Sequence, residues 1–420
     1  MSTSSDELTS LEKFSRQRMR SSFIDKEDLI DGRNPKHDEK PMVGETVVTY
    51  LLRTNRHLLN LLEDNVQYSE TKNERDSLHD LVALLASITL AIKQVGAMVR
   101  RMGLPFAESN NPEELSKLAN ETWITCLLFS RTCCMLVSED LEEPVAIEDE
   151  MQGQYAVVFD PLTGLADPPC EDRGAIFGIF RQLTRGPPRM DDVIQPGKQL
   201  IAAGYALYGA ATTLMFSIGD GLHGFTLDPS LNEFILTHEN IKVPYTGHQY
   251  SVNEGRTVLY DERTREMLQA LKSQPSLDGK KRQLRYVGSL VADVHRTIMY
   301  GGVYMYPQNK NNPMGAIKLL YEAAPIAFLV ANGGGQALTG LDPILELVPT
   351  SIHDRVPVFF GSEDDTNFCT GFYRASKPID DPMFTLRRTA SILEYSHKAV
   401  LDDDEVEEDG ILCAHLPQVG

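Results

Sequence analysis

Positive charge is scarce in this chain: 40 Lys and Arg stand against 60 Asp and Glu, a formal net charge of −20 over 420 residues. There is no basic stripe interleaved with aromatics either, so a nucleic-acid backbone has nothing to meet and is not an expected partner. Cysteine is sparse too. Cys126, Cys133, Cys134, Cys170, Cys369 and Cys413 show neither the paired spacing of a metal site nor the density of a disulfide framework, and read as reduced, mostly buried thiols. No apolar run is read as reaching the length of a membrane span or of a signal-peptide core with its cleavage site, so the expectation is a cytoplasmic protein without membrane contact. What the chain does have is 42% hydrophobic residues, over a length that suggests two domains and a large core.

Residues 1–41 are rich in Ser, Asp, Lys and Arg without apolar periodicity and read as a disordered extension. The acidic run Asp402 to Asp409 reads as a solvated tail. Helical spacing predicts helices over Thr46–Leu62, over Ser77–Met102, and after Asn111-Pro112, where Pro at the first turn and Glu113-Glu114 suit the helix dipole. Strand-like runs follow at Thr132–Val137, Tyr155–Phe159, Ala175–Phe180 and along Leu200–Phe225. After a polar linker around Lys272–Lys281 come a helix over Val291–Met299, a strand over Gly302–Met305 and a helix over Leu319–Val330. Such mixing argues for a layered α/β or α+β architecture.

Carboxylates fall where apolar runs stop: Glu139-Asp140 after Met135-Leu136-Val137, Asp160 after Val157-Val158-Phe159, and Glu322 after Leu319-Leu320-Tyr321. Strand ends are where an α/β sheet presents groups to a crevice, and magnesium needs oxygen ligands converging from several elements. Taken singly, each acid is better explained as a solvated turn residue, since isolated acids are usually exposed. Asn332-Gly333-Gly334-Gly335 lacks the lysine of a phosphate loop and reads as a helix-ending turn. His295 on an apolar helix reads as a satisfied core histidine, and Cys133-Cys134 as packing.

The stretches Leu136–Glu139, Val158–Leu162, Gly204–Gly209, Leu227–Pro229 with Glu233–Leu236, Ser251–Gly255, Arg285–Thr297 and Leu320–Glu322 occur in order along the chain. In that order they resemble the fructose-1,6-bisphosphatase family, magnesium-dependent sugar-bisphosphate phosphatases, over about Thr46 to Ala375. The resemblance implies an α/β fold, the layered α-β-α-β-α sandwich of the sugar phosphatases. It implies an N-terminal α+β domain over 42–200, a sugar-phosphate domain over 201–378 and a C-terminal extension over 379–420. It also implies a sugar-phosphate ligand, magnesium or manganese, and a homotetramer or a hetero-oligomer with a paralogue. Glu139, Asp160, the Leu162 carbonyl and Glu322 fall on the family's metal ligands, and Asp140 on its base. Asn253, Tyr286 and Tyr306 fall on the grip of the distal phosphate, and Arg285 on an arginine that reaches a neighbouring subunit's site.

The same resemblance shows where this chain departs. The family's Asp-Pro-Leu-Asp-Gly-Ser-Ser-Asn reads Asp160-Pro161-Leu162-Thr163-Gly164-Leu165-Ala166-Asp167 here. A shared metal ligand has become a neutral hydroxyl, and two phosphate-seating hydroxyls have become apolar. Asp140 is one methylene shorter than its counterpart, and the acid that partners it aligns with Ser116. Two family lysines align with Asn311 and Ala316, with Lys310 nearby, and a family tyrosine beside Asn253 is Arg256. The loop that holds the AMP phosphate falls at Ser77-Leu78-His79-Asp80, where an aspartate would repel it, although Tyr155 and Arg181 remain at nucleotide positions. These departures imply impaired hydrolysis and a regulatory sugar-phosphate-binding role. The alternatives are an active fructose-1,6-bisphosphatase that releases the 1-phosphate, or a phosphatase for another sugar or inositol phosphate.

Overall fold

The structure, a computed structural model, describes residues 44–54, 71–102, 104, 111–147, 151–164, 173–184 and 186–374, side chains of 71–78 excepted. The N-terminal extension, the acidic tail and Leu165 to Asp172 lie outside them. Among the described residues three helices come first: α1 over 47–54, α2 over Thr71–Arg101 and α3 over Pro112–Ser130. Asn111 caps α3, its side chain accepting from the Glu113 amide at 3.0 Å, with Pro112 at the first turn as the sequence predicts.

Eight strands then form one sheet: β1 Cys133–Ser138, β2 Val145–Ala146, β3 Tyr155–Thr163, β4 Arg173–Arg181, β5 Ala202–Tyr208, β6 Thr212–Ser217, β7 His223–Asp228 and β8 Glu233–His238, in the order β2-β1-β3-β4-β5-β6-β7-β8. The run Leu200–Phe225 is thus three strands separated by turns. β1 and β3 pair in parallel, and the remaining pairs in this sheet are antiparallel. A domain boundary at 200/201 would fall between β4 and β5, which are hydrogen-bonded neighbours.

Side chains alternate across a strand, so each face of this sheet meets its own core. Tyr155, Val157 and Phe159 face a core shared with Tyr50, Leu84, Ile88, Ile92 and Trp123; Ala156 and Val158 face another, shared with Val291, Val294, Leu320 and Ile326. Trp123, the only tryptophan, stacks on Phe159 at 5.1 Å.

A second sheet, of order β10-β9-β11-β15-β13, is built from β9 Gln249–Ser251, β10 Gln283–Leu284, β11 Val303–Tyr306, β13 Gln336–Leu338 and β15 Val358–Gly361. Between the sheets lie α5 Leu290–Tyr300 and α6 Ala324–Asn332, the latter preceded by a π turn over Leu319–Ala323. Behind the second sheet, α4 Glu262–Ser273 and α7 Glu363–Arg374 pack Met267, Leu268, Leu271, Cys369 and Tyr373 on Tyr250, Val303 and Phe359. This is the layered α-β-α-β-α sandwich.

Lys272 and Ser273, expected in a linker, form the last turn of α4, and only the turn beyond them is irregular. The reading of no membrane-length apolar run needs correction, because His79–Arg101 is long and apolar enough to cross a bilayer. Its stripe Leu81, Leu84, Leu85, Ile88, Ile92 and Val95 is core packed on α3 and the sheet, which accounts for its composition. Cys126, Cys133, Cys134 and Cys369 are free and buried. Burial pushes the Cys133 thiol up to about 11 and Cys134 up to about 12, as packing residues rather than redox groups. His295 is satisfied by the Tyr205 hydroxyl at 3.0 Å, and Gly333 ends α6 with Gly334 at φ +80°.

Candidate active site

Parallel pairing of β1 with β3 brings two acid-bearing ends together. Glu139 follows β1 directly, its amide donating to the Phe159 carbonyl at 3.2 Å. Asp160 is the next residue on β3, where the ladder to β4 shifts register before Thr163. Glu322 arrives on the π turn after the short strand β12 Ile317–Lys318, which pairs with β14 Arg355–Val356. Glu139, Asp160 and Glu322 each offer a carboxylate oxygen within 4.8 Å of the others. Glu139 is exposed as a residue, while Asp160 and Glu322 are buried.

Three acids so placed repel one another: at an effective dielectric of about 20, two unit charges 5 Å apart cost about 3 kcal/mol. The Glu322 carboxyl is pushed up to about 8, by burial first and by Glu139 next. Asp160 is raised well above the usual carboxylate range by burial, then by Glu139 and Glu322; Glu139, though exposed as a residue, is raised by desolvation of its carboxylate and then by Asp140. Hydrogen bonding relieves only part of this. The Leu162 amide donates to Asp160 Oδ1 at 3.1 Å and the Lys318 amide to Glu322 Oε2 at 2.6 Å, but Asp160 Oδ2 is buried with no hydrogen-bond donor among the described residues. Lys318 and Arg355 lie within electrostatic reach of Glu139 and Glu322, and burial and Arg355 lower the Lys318 ammonium. All-oxygen donors, crowded charge and an orphaned buried carboxylate oxygen fit a hard divalent cation.

The rest of the expected metal and base groups sit beside this triad. Leu162 is buried in the irregular segment, and Thr163 is buried on the same strand as Asp160. Asp140, adjacent to Glu139, accepts from the Ser116 hydroxyl at 2.9 Å. The residue that aligns with the family's partner acid is thus in contact, as a neutral donor.

His353 carries no mark in the sequence. Its Nε2 meets the Leu141 carbonyl at 2.9 Å and its Nδ1 the Tyr321 hydroxyl at 3.0 Å. A carbonyl only accepts, so Nε2 carries a proton. The ring ties the turn after Glu139-Asp140, 212 positions before it in sequence, to Tyr321, the residue preceding Glu322, and no local pattern announces such contacts.

A second cluster forms on the other sheet, where β10, β9 and β11 run parallel. Asn253 follows β9, Arg285-Tyr286 follow β10 and Tyr306 ends β11, so all four lie at carboxyl ends of neighbouring parallel strands, where α/β sheets open a crevice. The 285–288 loop is held from α5. Buried Asp293 accepts from the amides of Val287 at 3.1 Å and Gly288 at 2.9 Å, and Arg296 bonds both Asp293 and the Arg285 carbonyl. Arg285 itself is exposed, its guanidinium on Gln283 Oε1 and the Leu284 carbonyl. Buried Tyr304 on β11 is raised far above the ordinary tyrosine range, by burial first and then by Tyr286.

Ser77–Asp80, expected where a nucleotide phosphate would sit, lie inside α2, so their amides serve the helix. Asp80 accepts from Gln154 at 3.2 Å, and Arg181 donates to Gln154 at 3.4 Å.

A layered α/β protein with three converging carboxylates at strand ends, a donor set that could hold a metal ion, is the class this geometry defines. Models of the fructose-1-6-bisphosphatase N-terminal and C-terminal domains match residues 62–239 and 243–374, so the chain belongs to the fructose-1,6-bisphosphatase family. The two matches meet between β8 and β9, where one sheet gives way to the other. The cytosolic fructose-1,6-bisphosphatase of Spinacia oleracea is 41% identical over 344 residues, 80% of this chain and 98% of that protein. That of Beta vulgaris is 43% identical over 319 residues, 74% of this chain and 93% of that protein. The crystal structure of Leishmania major fructose-1,6-bisphosphatase in holo form superposes with a TM-score of 0.70 at 32% identity, covering 79% of this chain and all of that one.

Proposed function

We propose that this protein binds a sugar phosphate and one divalent cation, magnesium or manganese, in the cytoplasm, and that its phosphomonoesterase turnover is weak, leaving it a binding or regulatory role. The observation that carries this reading is the contrast within one site. Glu139, Asp160 and Glu322 converge, yet Thr163 stands where a fourth acid would complete a two-ion site, and Ser116 donates to Asp140 where an acid would pair with it. Glu139, Asp160, Glu322 and the Leu162 carbonyl would hold the cation, which supplies charge neutralisation for phosphate oxygens.

What the chain's own groups do follows from their types. Lys318 and Arg355 add positive charge beside the triad. Asn253, Tyr286 and Tyr306 offer an amide and two phenols to the distal phosphate, and Arg285 stands exposed for a neighbouring subunit in a homotetramer or a mixed oligomer. Asp140 accepts the water's proton poorly, because a hydroxyl already donates to it and it is one methylene short of its family counterpart.

Active fructose-1,6-bisphosphatase chemistry is the second reading, and the intact convergence of three acids favours it. Phosphate release from fructose 1,6-bisphosphate with magnesium or manganese separates the two. Turnover near background is expected, and turnover within about tenfold of the Spinacia oleracea enzyme would establish the second reading. Release from another sugar or inositol phosphate alone would move the substrate class and leave the metal site as described.

A further inference from the structure

Arg256 is a half-buried cation with no carboxylate partner among the described residues. It lies on the 3₁₀ turn Glu254–Leu259, and its amide donates to the Asn253 carbonyl at 3.1 Å. Residues three apart eclipse on such a turn, so Arg256 stands above Asn253 on one face. Its Nη1 donates to the Tyr306 hydroxyl, and its guanidinium carbon lies 5.3 Å from the centre of the Tyr306 ring.

The nearby acids are committed elsewhere. Glu254 takes Lys272 at 2.6 Å and the Tyr250 hydroxyl at 2.8 Å, and Asp261 takes Arg263 at 2.9 Å and caps α4 through Thr264. A guanidinium has five N–H donors, and the tyrosine takes one of them. Among the described residues no carboxylate pairs with this guanidinium, and an unpaired charge is costly when partly desolvated unless an anion arrives. The Tyr306 hydroxyl, accepting from a cation, is in turn a better donor.

We propose that Arg256 is the residue that selects a phosphate dianion at the Asn253, Tyr286 and Tyr306 cluster, and that it does so from within the same chain. The proposal rests on the sugar-phosphate reading above and adds its specificity determinant. A fork of guanidinium donors beside a phenol and an amide suits the several oxygens of a phosphate monoester, which a single ammonium would meet as a point charge only. Because the charge is supplied in cis, anion binding at this cluster does not wait for the Arg285 of a neighbouring subunit.

Calorimetric titration of full-length protein with fructose 6-phosphate, in wild type, Arg256→Gln, Arg256→Lys and Arg285→Gln, tests this. Arg256→Gln should bind roughly 10- to 100-fold more weakly. Arg256→Lys should fall between it and wild type, and Arg285→Gln should lose less than Arg256→Gln. The salt dependence of the affinity should flatten in Arg256→Gln. Equal affinity of wild type and Arg256→Gln would overturn the proposal, as would a loss that the lysine variant does not lessen. A wild-type protein that binds no fructose 6-phosphate would overturn the sugar-phosphate reading itself, and this inference with it.

Discussion

Replacing Glu322 by Gln separates the cost of crowding three acids from their use. In metal-free protein the Glu322 carboxyl is pushed up to about 8, mainly by burial and then by Glu139, against an ordinary value of 4.5. Between those values the folded state binds a proton that the unfolded chain has released, so stability falls as pH rises through the window. The full loss for one such group is about 5 kcal/mol, and about 2 kcal/mol if Asp160 and Glu139 share the proton with it. Glu322→Gln keeps the shape and an oxygen for the Lys318 amide, which donates to the native side chain at 2.6 Å, and has nothing to ionise.

Urea unfolding of chelator-treated wild type and variant, at about pH 5 and about pH 8.5, reads the effect. The two should differ little at the lower pH, and the variant should be more stable by about 2 to 5 kcal/mol at the higher one. Saturating magnesium should then stabilise the wild type at the higher pH and leave the variant unmoved. A variant that is never ahead of wild type at either pH would refute the reasoning that these acids are held together against their own repulsion.

Other perturbations follow from the same geometry. Thr163→Asp should tighten magnesium binding by about tenfold or more and, combined with Leu165→Ser and Ala166→Ser, raise phosphate release; a triple variant no faster than wild type would place the defect at Ser116 and Asp140. His353→Ala should cost about 1 to 3 kcal/mol in unfolding free energy and weaken cation binding as the Asp140 turn loosens, whereas unchanged magnesium affinity would show that the turn holds itself. Trp123→Phe, which keeps a ring on Phe159, should cost less than the roughly 3 to 5 kcal/mol expected of Trp123→Ala, and equal losses would contradict stacking as the reason for the residue. AMP at millimolar concentration should produce no shift in Tm, since Ser77–Asp80 spend their amides within a helix; a clear stabilisation would mean that a nucleotide binds after all.

The sequence showed many of the strands and little of what braces the site. Val157-Val158-Phe159 before Asp160-Pro161 announces a buried strand ending in an acid, and the structure puts that acid in the triad. Glu322 was legible because Leu319-Leu320-Tyr321 is apolar and fully buried, although the π turn that aims it has no sequence mark. The helices α4 and α7 escaped notice because their buried stripes, Met267, Leu268 and Leu271 or Thr366, Cys369 and Tyr373, are narrow within charged segments. Asp293, Arg296 and His353 were missed for another reason. Each works through hydrogen bonds to backbone outside its own element, and neither period nor spacing records them, least of all the one from His353 to Leu141. The contact of Ser116 with Asp140 was reachable only through the family resemblance, and the structure supplies its geometry.

Three converging carboxylates with a threonine in the fourth place should hold one divalent cation per chain, and counting manganese bound in the presence of fructose 6-phosphate and inorganic phosphate measures this directly. A single bound ion per chain, lost in Asp160→Asn, is the predicted result. Two ions bound per chain with comparable affinity would contradict it.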